Sequence, residues 1–187
     1  LDFLELRNLT IDGEWYGVES EDIRGSGPLI NVNVKEVVIE NCTFRNFQQA
    51  ALSLHNVTKS AHITNCRFID MDLRPLTGSD EVFPLAIQFT NTDTYSAEDG
   101  RPNIVITGNQ FISRPPVADS GRGGTGVQAL FLNSAPRRML IEGNYFAHCG
   151  SNSSEGVTAA YGGAINLTTS CDGAIIRNNV FEYPAGP

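Results

Sequence analysis

AINLTTSCDGAIIRNNVFEY, residues 164–183, holds two kinds of strand and one sharp turn. Its second half is the last copy of a phrase that recurs through the chain. The others are VVIENCTFRN (37–46), AHITNCRFID (61–70), IVITGNQFIS (104–113) and MLIEGNYFAH (139–148), with a weaker version around Asn8. Aligned, one column reads Asn8, Asn41, Asn65, Gly108, Gly143, Asn178. Asn and Gly are the residues that most readily take a left-handed backbone, so the column predicts a turn with positive φ. Two residues earlier stand Leu6, Ile39, Ile63, Ile106, Ile141 and Ile176; three residues later stand Ile11, Phe44, Phe68, Phe111, Phe146 and Phe181. An inward aliphatic before the turn and an inward, mostly aromatic residue after it predict two short strands joined by that turn.

The first half of the opening stretch belongs to a second series: LINVN (29–33), LSLHN (52–56), AIQFTN (86–91), LFLNS (130–134) and INLTTS (165–170). It alternates with period two, the signature of a strand. Ile30/Val32, Leu52/Leu54, Ile87/Phe89, Leu130/Leu132 and Ile165/Leu167 face one way; Asn31, Ser53, Gln88, Phe131 and Asn166 face the other. No segment carries a sustained helical period. The Asn/Gly column recurs at intervals of 33, 24, 43, 35 and 35 residues. A constant motif with variable spacers describes a solenoid whose coils carry insertions and bury their apolar sides only by stacking.

These phrases, with the A-I/L-x-L-x-x-S runs between them, resemble the right-handed parallel β-helix, or pectin-lyase-like, superfamily over residues 1–183. The expected fold is all-β: a right-handed parallel β-helix solenoid of about five to six coils, with long loop insertions at one corner. Residues 1–187 are read as a single such domain of a longer chain. The start at Leu1 and the absence of a capping helix at either end lead to the expectation of flanking domains or a homo-oligomer capping the solenoid. The superfamily includes pectate, pectin and alginate lyases, polygalacturonases and other glycoside hydrolases, epimerases, phage tailspikes and surface adhesins. The resemblance thus implies a polysaccharide or glycan partner and an extracellular, cell-surface or virion-surface location. No stretch matches one family's catalytic motif residue by residue.

Much of the repeat reads as scaffold. The column after the turn, Leu9, Cys42, Cys66, Asn109, Asn144 and Asn179, points inward, and its asparagines should form a ladder that satisfies buried backbone groups. Cys42 and Cys66 stack in this column and are expected to be free buried thiols. Arg7/Glu40 and Glu142/Arg177 should be stacked surface ion pairs. His55, His62 and His148 show no metal-ligand spacing and read as surface histidines. The glycine-rich DSGRGGTG (119–126) lacks the ending of a phosphate loop. Of five N-x-S/T sequons, only that at Asn152 stands in a loop suited to a glycan. A net charge of −8 with only two lysines, Lys35 and Lys59, argues against nucleic acid. No apolar window reaches the roughly 18 residues a membrane helix needs, so no membrane insertion is expected.

Function is expected where the repeat is broken. The connection after the aromatic strand is short at 45–51 but long at 69–83, 112–128 and 147–163; another insertion, 92–102, leaves from a different corner. Loops on a rigid scaffold concentrate binding and catalytic groups. FIDMDLRPLTGSDEVFP (68–84) gathers Asp70, Asp72, Asp80 and Glu81 around the single Arg74. Asp70, Asp72 and Glu81 are the candidate catalytic acids, and Arg74 the candidate positioning or charge-stabilising group. Two carboxylates flanking a glycosidic bond would hydrolyse it; a base with an arginine and calcium would instead eliminate across a uronate. The acidic chain disfavours a polyanionic substrate and so favours hydrolysis. Calcium held by carboxylates and carbonyls is the one cofactor this cluster suggests. Asn31, Ser53, Gln88, Phe131 and Asn166 are the candidate substrate-binding residues. The alternative is a non-catalytic adhesive or structural rod, such as a tailspike shaft or surface-protein segment.

Overall fold

A computed structural model describes residues 1–13, 28–47, 50–71, 85–90, 104–113, 128–132, 138–149, 164–167 and 173–182. Every regular element among them is a strand. The first coil is β1 (Phe3–Arg7), β2 (Thr10–Asp12) and β3 (Ile30–Asn33); the second is β4 (Glu36–Glu40), β5 (Thr43–Arg45) and β6 (Ala50–His55). The third is β7 (Ser60–Thr64), β8 (Arg67–Met71) and β9 (Leu85–Thr90); the fourth is β10 (Ile104–Thr107), β11 (Gln110–Ser113) and β12 (Gln128–Leu132). The fifth is β13 (Met139–Glu142), β14 (Tyr145–Ala147) and β15 (Ile165–Leu167), and a sixth begins with β16 (Ala174–Arg177) and β17 (Val180–Glu182).

Each strand pairs in parallel with its counterpart one coil away. This gives sheet A (β1-β4-β7-β10-β13-β16), sheet B (β2-β5-β8-β11-β14-β17) and sheet C (β3-β6-β9-β12-β15). The chain is a parallel β-helix, and the right-handed winding follows the near-universal hand of parallel crossovers. Ile39, Ile63, Ile106, Ile141 and Ile176 stand in one register, as the repeat requires.

The sheet A to sheet B turn is always two residues long, and its first residue is left-handed in every coil. The φ values are 56° at Asn8, 54° at Asn41, 54° at Asn65, 67° at Gly108, 65° at Gly143 and 55° at Asn178. Its backbone groups are paired between coils. Asn65 N donates to Thr107 O (3.0 Å), and Cys66 O accepts from Gln110 N (2.9 Å). That leaves the N–H of the second turn residue, which the asparagine one coil on accepts: Cys66 N donates to Asn109 Oδ1 (2.8 Å), Asn109 N to Asn144 Oδ1 (2.9 Å), and Asn144 N to Asn179 Oδ1 (2.9 Å). The same side chains donate through Nδ2 to Ile63 O, Ile106 O and Ile141 O, each at 2.9 Å. The ladder leaves no amide group of Asn109 or Asn144 idle in a dry interior.

Cys66 stands where the ladder would have its next rung. Its Sγ donates to Ile39 O at 3.6 Å, the equivalent of the carbonyls the asparagines reach, and to Thr64 O at 3.2 Å. Burial pushes this thiol up to about 11, which keeps it a protonated donor. Cys42, Cys66 and Cys149 are all free and buried.

The interior is a set of columns. Phe44, Phe68, Phe111, Phe146 and Phe181 form one continuous stack with ring centroids 5.0, 5.0, 4.9 and 4.8 Å apart and planes within 9° of parallel. Phe68 is fully buried, whereas Phe181 on the last described coil is 42 % exposed, which shows that the neighbouring coil supplies the burial. Ala51, Ala86, Ala129 and Ala164 enter sheet C, all buried within the core cluster. A methyl group fits where the chain turns in from the corner. On the outer face of sheet A, Arg7 pairs with Glu40, and Arg177 with Glu142 (2.8 Å). Both pairs are exposed and contribute little to stability.

Removing the Phe68 ring interrupts the stack on both sides, so Phe68→Ala should cost about 3–5 kcal/mol in chemical denaturation. Cys66→Asn should act in the opposite sense. It offers a carboxamide oxygen to the Cys42 N–H one coil back and should raise stability by about 1 kcal/mol. A Cys66→Asn protein that melts below the parent would contradict this reading of the ladder.

Candidate functional site

Loop length differs sharply among the three corners. The sheet A to sheet B turn never varies: it is two residues long in all six coils, and its backbone groups bond from coil to coil. The sheet B to sheet C corner spans 48–49 between described residues in the second coil, but 72–84, 114–127 and 150–163 in later ones. The first coil also carries a long connection there, 14–27, which the repeat alignment did not single out. The opposite corner carries 91–103. Sheet C is therefore the sheet with variable connections on both sides, and its outward face is the candidate site.

The five candidate substrate-binding residues share one register position on that face. Asn31 pairs with Ser53, Ser53 with Gln88, Gln88 with Phe131, and Phe131 with Asn166. Asn31 is exposed, Gln88 and Asn166 are half-buried, and Ser53 is only 3 % exposed. The Phe131 side chain lies outside the description. Two residues further along the strands runs a second polar column, Asn33, His55 and Thr90.

His55 joins the two columns. Its Nε2 lies 2.9 Å from Asn31 Oδ1 and 3.0 Å from Ser53 Oγ, and its Nδ1 is hydrogen-bonded to the Thr90 hydroxyl. A carboxamide oxygen can only accept, so this arrangement assigns the proton to Nε2 and makes Nδ1 the acceptor of the Thr90 O–H. The imidazole is held from three adjacent strands. This differs from the expectation of an ordinary surface histidine. Alternation put His55 on the outer face, but the pairing of its strand with two others, which brings Asn31 and Thr90 to it, depends on register across long insertions. Ser53 is correspondingly a support for His55 more than an open contact.

Asp70 is the one candidate catalytic residue within the described chain. It is the extra residue where β8 slips against β11, between Ile69, which pairs with Ile112, and Met71, which pairs with Ser113. Its φ is 55°, matched by Asn46 (52°) and His148 (55°), the residues that directly follow β5 and β14. Asp tolerates this conformation better than most residues. The position therefore has a backbone reason for its residue, independent of chemistry. Bulges also re-aim side chains beside functional sites, and this one opens directly into the acidic segment. Asp72, Arg74 and Glu81 lie outside the described residues, as do Asp80, Asn152 and the 119–126 stretch. Among the described residues no three His, Cys, Asp or Glu side chains gather as a metal site.

The outward face of sheet C is thus polar and, among its described residues, free of carboxylates and of lysine or arginine. Its described residues can donate to and accept from hydroxyls. No known family model, no curated protein and no solved structure matches this chain.

The backbone account of Asp70 makes a stability forecast. Asp70→Asn should leave the denaturation midpoint nearly unchanged. Asp70→Val puts a β-branched residue at positive φ and should cost about 1–2 kcal/mol. Equal effects of the two substitutions would show that the carboxylate, not the conformation, is what the position needs.

Proposed function

We propose that this chain is a glycan-binding β-helix of the pectin-lyase-like type, acting outside the cell or at a cell or virion surface, and that an extended polysaccharide lies along the helix axis over sheet C. The observation that carries this reading is the in-register outward column Asn31, Ser53, Gln88, Phe131 and Asn166. Successive members are one strand spacing apart, about 4.8 Å, close to the length of one pyranose unit in an extended chain. The amides of Asn31, Gln88 and Asn166 in that column match the donors and acceptors of sugar hydroxyls, with Ser53 beneath them as a support for His55. A rigid parallel stack supplies the preorganisation that weak individual contacts need.

Cleavage of the bound polymer is the second reading. It is favoured by Asp70, which sits at the corner beside sheet C and heads the segment carrying Asp72, Arg74 and Glu81. A carboxyl there serving as general acid needs its proton held by burial or by a neighbouring carboxylate.

A glycan array followed by calorimetry tests both. Gln88→Ala, Phe131→Ala and Asn166→Ala should each weaken binding about threefold to tenfold, the effect of losing one net contact. Val105→Ala on the outer face of sheet A should leave it unchanged. Release of reducing ends or of unsaturated product, lost in Asp72→Asn or Glu81→Gln, would make the protein an enzyme; binding without either product would make it an adhesive rod. A folded parent that binds no glycan overturns the proposal.

A further inference from the structure

We propose that the open axial face of the sixth coil is a docking surface for another polypeptide. Its occupant is a strand–turn–strand segment that adds in parallel to β16 and β17 and carries an asparagine as the second residue of its turn. This inference is independent of the glycan reading. β16 and β17 each pair on one side only, with β13 and β14. The inward residues they carry are correspondingly uncovered. Ile176 is 45 % and Phe181 42 % exposed, whereas Ile141 and Phe146, their counterparts one coil back, are 0 % and 1 % exposed. A coil stacked on this face would bury both side chains, as the sixth coil does for those of the fifth.

The asparagine ladder specifies what the covering segment must carry. Asn109 gives its backbone N–H and an Nδ2 hydrogen to Asn144 Oδ1 (2.9 and 3.0 Å), and Asn144 gives the same pair to Asn179 Oδ1 (2.9 and 3.0 Å). Asn179 holds the same place in its turn, but its Nδ2 meets only Ile141 O (2.9 Å). Its backbone N–H and its second Nδ2 hydrogen have no acceptor among the described residues. One carbonyl waits beside them. Asn109 reaches Ile63 O, Asn144 reaches Ile106 O and Asn179 reaches Ile141 O, so the next carboxamide in the series would reach Ile176 O. Two donors and one acceptor at this spacing match a carboxamide. A carboxylate would leave Ile176 O unmet, and a leucine would leave all three groups unmet.

The same requirement does not fit a second copy of this chain stacked head to tail. The first coil has Leu9 at the ladder position, and Arg7 stands in the column that ends with Glu142 and Arg177. Laid on the sixth coil, Leu9 would offer Asn179 no acceptor, and Arg7 would lie next to Arg177, like charge beside like. The two ends of the described solenoid are thus not complementary, and the occupant is a segment of different sequence.

The test is titration of the isotope-labelled full chain with the peptide MLIEGNYFAH, the phrase of residues 139–148, and with its Asn144→Leu and Asn144→Asp forms. The asparagine peptide should bind at least about tenfold more tightly than the leucine form, the effect of one to two net hydrogen bonds, with the aspartate form between them. It should shift the backbone and side-chain amide resonances of Asn179. Asn179→Leu in the protein, which removes the Nδ2 donor, should narrow the difference between the peptides, a coupling that general damage to the fold does not produce. Equal binding of the asparagine and leucine forms, or binding of neither, would overturn the proposal. Concentration-dependent sedimentation of the parent that Leu9→Asp abolishes would overturn it in favour of a second copy.

Discussion

The two-residue turn between sheets A and B is the constraint on which this molecule depends. It demands a left-handed residue, it buries the residue that follows, and it leaves one backbone N–H without a strand partner. Asn or Gly answers the first demand in all six coils. A carboxamide from the next coil answers the third at Cys66, Asn109 and Asn144. With both satisfied, successive coils stack without an offset, and the aliphatic and phenylalanine columns meet their own kind at about one strand spacing. A shift of one residue at this turn would move every inward side chain of a strand to the outside.

The same rigidity explains where freedom lies. A turn whose backbone groups bond from coil to coil resists insertions, and it carries none in the six coils. At the corners on either side of sheet C the coils vary from two to fourteen residues between described segments. The chain also uses one chemistry in two ways. Carboxamides inside, at Asn109 and Asn144, are saturated by backbone groups and by each other. Carboxamides outside, at Asn31 and Asn33, each meet a side chain of the next coil, His55 and Asn56. On this view the interior fixes spacing and the exterior reads a polymer of matching repeat.

The repeat made the fold legible because every coil restates the same demands: the turn residue, the aliphatic before it and the phenylalanine after it. The asparagine ladder was legible for the same reason, and the stacking of Asn31 with Ser53 and Gln88 followed from aligning the alternating runs. His55 was not legible. Its partners lie 24 and 35 residues away, and nothing in the local sequence marks Thr90 as the group that meets its ring. Asp70 was conspicuous for its charge, whereas its conformation emerged only from the slip between β8 and β11. The acids at Asp72 and Glu81 belong to a segment without a repeat to align, so neither periodicity nor register locates them.

The central claim is that the interior amides build the scaffold and the sheet C amides contact the ligand. Side-chain amide resonances separate these two populations in one titration with a neutral hexasaccharide. The account predicts progressive shifts of the Asn31, Gln88 and Asn166 side-chain amides, with those of Asn109 and Asn144 unmoved. Shifts confined to residues of sheet A or sheet B, or movement of the ladder amides with the outward ones silent, would contradict it.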